Sequence, residues 1–116
     1  MPEHIRHALQ LIGVSGRAQI LHLVAASTTP MTTAAIAQDS NISYRSTMLY
    51  LQALEEAGLL VASIGPEARH GRTVHWSAQH DHITELLVQI FSYLLGEHAQ
   101  EDSQIEAMLH RFVGES

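Results

Sequence analysis

The chain contains no cysteine. That single absence excludes disulfides, thiolate metal sites and a cysteine nucleophile, and it fits an intracellular setting. Lysine is missing as well, so all six basic side chains are arginine. Aromatic residues are few (two Phe, three Tyr, one Trp), which leaves Leu, Ile, Val, Ala and Met to build a core. No run approaches the roughly 18 consecutive apolar residues that span a bilayer, so no membrane partner is expected. The opening MPEHIRHALQ lacks the basic-then-apolar pattern of a secretory signal, and a soluble cytoplasmic protein is the expectation. No HExxH, GxSxG, phosphate-binding glycine loop or paired-carboxylate constellation occurs in a supporting context. The expectation is therefore a protein that is not an enzyme and carries no cofactor.

What is present is a chain of 116 residues with 46% apolar content, enough for one domain with one core. Its net charge of −6 is unevenly spread. From Ser15 to Trp76, Arg17, Arg45, Arg69 and Arg72 are balanced by Asp39, Glu55, Glu56 and Glu67. From Ser77 onward Arg111 is the only base among seven acids, so the acidity resides in the C-terminal third. A neutral segment followed by an acidic one is compatible with nucleic-acid binding of modest affinity.

The order of elements is legible from apolar spacing and caps. Ile5, Ala8, Leu9 and Ile12 recur at helical steps, and Gly13 and Gly16 bracket a break. Ser15 or Gly16 is positioned to cap a second helix with an apolar face of Ala18, Ile20, Leu21, Leu23 and Val24, ended before Pro30. Thr32 caps a short helix, 33–39, that buries Ile36 and Ala37, with Met31 as a staple. Ser40-Asn41 forms the turn and Ile42 plugs the corner. Ser43 caps a longer helix running to about Ala57, with Gly58 as its stop. Along it Thr47, Tyr50, Leu51, Leu54 and Ala57 face the core, which leaves Tyr44, Arg45, Met48, Leu49 and Gln52 outward. A two-stranded hairpin with a basic tip follows. Short helix, turn, longer helix and hairpin is the layout of a winged helix-turn-helix, a mainly α fold with a small β-hairpin wing.

Three segments carry a family resemblance. SGRAQILHLV resembles the opening core helix of ArsR-like and MarR-like winged-helix repressors, LEEAGLL their helix-to-wing junction, and GRTVHW their returning wing strand. The resemblance covers about Leu9 to Leu95 and implies a sequence-specific regulator bound to double-stranded DNA. It places helix 43–57 in the major groove, with Ser43, Tyr44, Arg45, Ser46 and Met48 toward base edges and phosphates, and Gln52 within reach of either. Arg45 is the candidate for bidentate contact with a guanine edge. Thr33 is assigned to a backbone phosphate at a helix N-terminus. In the 65–72 wing, Arg69, His70 and Arg72 are assigned to the flanking groove or backbone. The sequence departs from the family where Met48 and Leu49 replace a polar or basic pair. If that pair meets a protein instead of DNA, the module serves protein–protein contact.

The remainder divides at 1–78, the winged helix-turn-helix region with its leading core helix, and 79–116, the C-terminal helices, within a single compact domain. Ile83, Leu86, Leu87, Ile90, Phe91, Leu94 and Leu95 form a wide apolar stripe. Ser103 to Glu106 reads as a capping box before a second amphipathic segment with Ile105, Met108, Leu109, Phe112 and Val113. Ile83, Leu87, Ile90, Phe91, Leu94, Met108 and Phe112 are the candidate dimerisation residues, and a homodimer is expected. Nine histidines suggest a metal- or pH-responsive repressor as a further alternative, with His80, His82 and His98 as conceivable zinc or nickel ligands. The family's C-terminal ligand pattern is incomplete here, so no metal site is assigned.

Overall fold

In the computed structural model, which describes residues 1–96, helix ends fall where local groups satisfy orphan backbone donors and acceptors. Helix α1 spans Glu3–Ile12 and α2 spans Ser15–Ala26. The N-cap of α2 is Val14, not Ser15 or Gly16, because the helix already begins at Ser15. A two-residue strand, β1 (Met31–Thr32), runs directly into α3 (Thr33–Ser40). Thr32 Oγ1 caps α3 by accepting the Ala35 N–H at 3.1 Å. Asn41 ends the helix in the left-handed region (φ 57°), and the Ile42 N–H returns to the Ala37 carbonyl at 3.3 Å. The Gln19 side chain, from α2, donates to the Ser40 carbonyl at 3.0 Å and pins the corner.

Helix α4 spans Tyr44–Glu56 and opens with Ser43 Oγ accepting the Ser46 N–H at 3.1 Å. It closes with Gly58 at φ 80°, where the Leu59 N–H reaches back to the Leu54 carbonyl at 3.0 Å. Thr47, Leu51 and Leu54 are buried as expected, whereas Ala57 is exposed because α4 has ended by Glu56. Tyr50 is half-buried and packs so near α2 that a methyl on Gly16 would lie 2.5 Å from its Cε2.

The wing strands β2 (Leu60–Ala62) and β3 (His75–Ala78) pair antiparallel, with Val61 opposite Ser77. β1 adds to the far side of β3, Met31 opposite Trp76, so the expected hairpin is a three-stranded sheet in the order β1-β3-β2. A two-residue strand shows no alternation, and its sequence reads only as a helix cap. The last described helix, α5, spans His80–Leu94. The fold is thus mainly helical with a small antiparallel sheet.

The chain divides into two compact units. Residues Leu11–His80 form one, and Met1–Gln10 group with the described residues from Asp81 onward. In the Leu11–His80 unit, α2, α3 and α4 pack on one another and β3 lies on α2. Its core is Ile20, Val24, Ile36, Leu51, Leu54, Leu59, Leu60, Val74 and Trp76. Among the described residues of the other unit, Ile5, Ala8 and Ile90 are the buried apolar side chains. Met108, Phe112, His98 and the Ser103–Glu106 box lie outside the described residues.

Candidate nucleic-acid interface

Helix periodicity decides which side chains α4 presents. Arg45, Leu49, Gln52 and Glu56 are exposed at steps of four, three and four residues and make one outward stripe. Tyr44 is also exposed, while Met48 and Ser46 are half-buried beside the stripe. The Met48–Leu49 pair is therefore split: Leu49 points fully outward at 59% exposure and Met48 lies on the flank. Leu49 belongs with the candidate contact residues although it was not among those assigned from the family pattern. The four-residue step from Arg45 is the signal that places it there. Ser43 stands exposed at the cap, and accepting one N–H leaves its own hydroxyl hydrogen free to donate to a phosphate.

Packing commits two of the assigned side chains within the fold. Thr33 is only 5% exposed, and its Oγ1 accepts the buried Trp76 indole N–H at 2.9 Å. Its side chain belongs to the core. Arg69 is likewise committed within the fold. Its Nε donates to the Ile64 carbonyl at 2.8 Å, its terminal nitrogen pairs with the Glu55 carboxylate, and its guanidinium lies 5.1 Å from the Trp76 ring centroid. At 11% side-chain exposure it has little surface left for DNA.

The wing tip carries what remains. A 3₁₀ turn at Pro66–Ala68 leads to Arg69, the Arg72 N–H bonds the Arg69 carbonyl at 3.0 Å, and Gly71 sits at φ 70° with open space around it. His70 and Arg72 are exposed on either side of that glycine. Arg17 is half-buried, with a terminal nitrogen donating to the Leu11 carbonyl at 3.3 Å. Of the unit's four arginines, then, Arg45 and Arg72 stand exposed and available.

Two further groups of candidate residues were located. Among the dimerisation candidates Ile90 is 4% exposed and belongs to the core of its own chain, because the helical turn points it inward. Ile83, Leu87 and Phe91 are half-buried, and Leu94 is 64% exposed with Leu95 exposed beside it. Among the described residues no three His, Asp or Glu side chains converge as a metal site. His80 Nε2 lies 3.0 Å from the Ala25 carbonyl, which can only accept, so that nitrogen carries the hydrogen.

No protein-family model and no curated protein matches the sequence. Solved structures do resemble the fold. One is a MarR-family transcriptional regulator from Rhodococcus, at 16% identity over 97% of this chain and 84% of that one, with a TM-score of 0.50. Another is BpsR of Bordetella bronchiseptica, whose DNA binding is regulated by 6-hydroxynicotinic acid, at 15% identity over 97% and 86% of the two chains and a TM-score of 0.49. A third is ZitR of Lactococcus lactis, a zinc-responsive MarR family member, at 21% identity over 87% and 74% and a TM-score of 0.48. At such identities the likeness is one of fold. The fold shared with the Rhodococcus structure is a winged helix-turn-helix.

Proposed function

We propose that this chain is a sequence-specific, DNA-binding transcriptional regulator, acting in the cytoplasm as a dimeric repressor and not as an enzyme. The observation that carries the reading is Arg45, an exposed cation in the first turn of α4, two residues after its Ser43 cap and on the outward stripe of that helix. In a helix-turn-helix this end enters the major groove, and an arginine there reads a guanine edge through two parallel hydrogen bonds. Leu49 extends the same stripe and offers apolar contact to a thymine methyl. Gln52 follows within reach of a base or a phosphate. Tyr44 and Ser43 hold the backbone at the helix start, and Arg72 with His70 reaches the flanking groove from the wing.

Arg45→Ala is expected to remove about 1–3 kcal/mol of discrimination between the preferred duplex and a random one, measured by competitive binding. Failure of the wild-type protein to retain any duplex at low salt would sink the proposal. One observation favours a second reading. Leu49, an exposed leucine at the centre of the stripe, also suits a protein partner. On that reading Leu49→Glu abolishes a stable co-purifying complex while the protein shows no salt-sensitive DNA binding.

A further inference from the structure

Four side chains form a continuous chain through the reading module. Thr33 opens α3, Trp76 sits in β3, Arg69 lies in the wing, and Glu55 is in the last turn of α4. The Trp76 indole N–H is held by Thr33, the Arg69 guanidinium stands over the Trp76 ring, and Arg69 bonds both the Ile64 carbonyl and the Glu55 carboxylate. The ladder between β2 and β3 is extended by the Ser63 N–H to the His75 carbonyl and the His75 N–H to Ser63 Oγ. Beyond that, the loop over 64–73 makes only local backbone hydrogen bonds, and Val74 at its end is buried in the core. Among the described residues, Arg69 is the loop side chain that hydrogen-bonds to another element.

We propose that Arg69 is a positioning residue, a latch that docks the wing loop on the end of α4 and so fixes the offset between Arg45 and Arg72. The proposal rests on the DNA-binding reading above. Arg72 takes its backbone position from Arg69 through the bond between the Arg72 N–H and the Arg69 carbonyl. An arginine is suited to the task because its planar fork bonds a carboxylate and a carbonyl while its face stacks on an indole. The latch reverses the sign that simple electrostatics gives for Glu55. Removing an acid from a surface facing a polyanion, and releasing an arginine beside it, strengthens binding if Arg69 is itself a phosphate contact. If Arg69 is a latch, the same change weakens binding, because the wing no longer delivers Arg72.

The test compares wild type, Glu55→Gln, Arg69→Met, Arg72→Ala and the double variant Glu55→Gln/Arg72→Ala on a duplex selected by the wild-type protein. The latch predicts that Glu55→Gln weakens binding roughly fivefold at 0.15 M salt, the worth of one phosphate contact, and flattens the salt slope by about 0.9. It also predicts that Glu55→Gln adds nothing in the Arg72→Ala background, since the two act through one contact. Preference for the selected duplex over a random one persists in Glu55→Gln, because α4 itself is intact, whereas a general loss of fold would remove it. Trp76 is the only tryptophan, so its emission in the free protein reports the latch without DNA and is expected to shift in Glu55→Gln and Arg69→Met alike. Equal or tighter DNA binding by Glu55→Gln, or full additivity with Arg72→Ala, overturns the latch. If wild type binds no duplex, the DNA-binding reading fails separately, and unchanged Trp76 emission in both variants then overturns the latch by itself.

Discussion

Thr33 and Trp76 illustrate how a polar pair can be structural inside a surface module. The indole N–H is fully buried and Thr33 Oγ1 is its acceptor, so Thr33→Val leaves a donor unsatisfied at a cost of about 1–3 kcal/mol. Chemical denaturation is expected to register that loss while the salt slope of DNA binding stays unchanged, because no phosphate contact is removed. A lowered slope would return Thr33 to the interface. Adjacent threonines at 32 and 33 look interchangeable in sequence, yet one caps α3 and the other enters the core. The difference depends on where Trp76 arrives, far along the chain. Gly16 is a second such case. Alanine there meets the Tyr50 ring, so Gly16→Ala is expected to destabilise the wild-type protein. In a Tyr50→Ala background the same change is expected to stabilise by about 0.5–1 kcal/mol, the ordinary helix preference of alanine over glycine, as read from denaturation midpoints.

Elements α3 and α4 were legible in the sequence because their signals are local: Thr32 and Ser43 as N-caps, Asn41 and Gly58 as left-handed stops. β1 was not, since its pairing with β3 is long-range and two residues carry no period. The wing was legible in outline, but the partners of its charges were not. Counting arginines near the tip gave two, whereas Arg69 is withdrawn onto Glu55 and Trp76 and only Arg72 remains outward. An arginine's partners are set by tertiary packing, which a charge count does not contain. The outward stripe of α4 is correspondingly sparse in cations, with Arg45 its single base and Glu56 at the far end. Arg72→Ala is therefore expected to weaken binding to all duplexes about equally and flatten the salt slope by about 0.9, whereas Arg45→Ala alters sequence preference.

Along the sequence, a charge-balanced segment from Ser15 to Trp76 is followed by an acidic C-terminal third. On the proposed function, two exposed arginines per chain give a modest electrostatic contribution to DNA binding, and a dimer on one site doubles it. The proposed dimer would draw on Leu94 and Leu95, which are exposed at the end of α5, and not on Ile90. Light scattering at micromolar concentration is expected to find a dimer in the wild type and a shift toward monomer in Leu94→Glu, whereas Ile90→Ala should lower stability instead. A wild-type monomer would contradict the two-fold arrangement. The most direct test of DNA reading by α4 is selection of duplexes from a random pool by the wild-type protein and by Arg45→Ala. The wild type is expected to enrich a pseudo-palindromic sequence with half-site centres about 10–10.5 base pairs apart, and Arg45→Ala to lose that enrichment. Absence of any enriched sequence with wild type, or the same sequence enriched equally by Arg45→Ala, would contradict it.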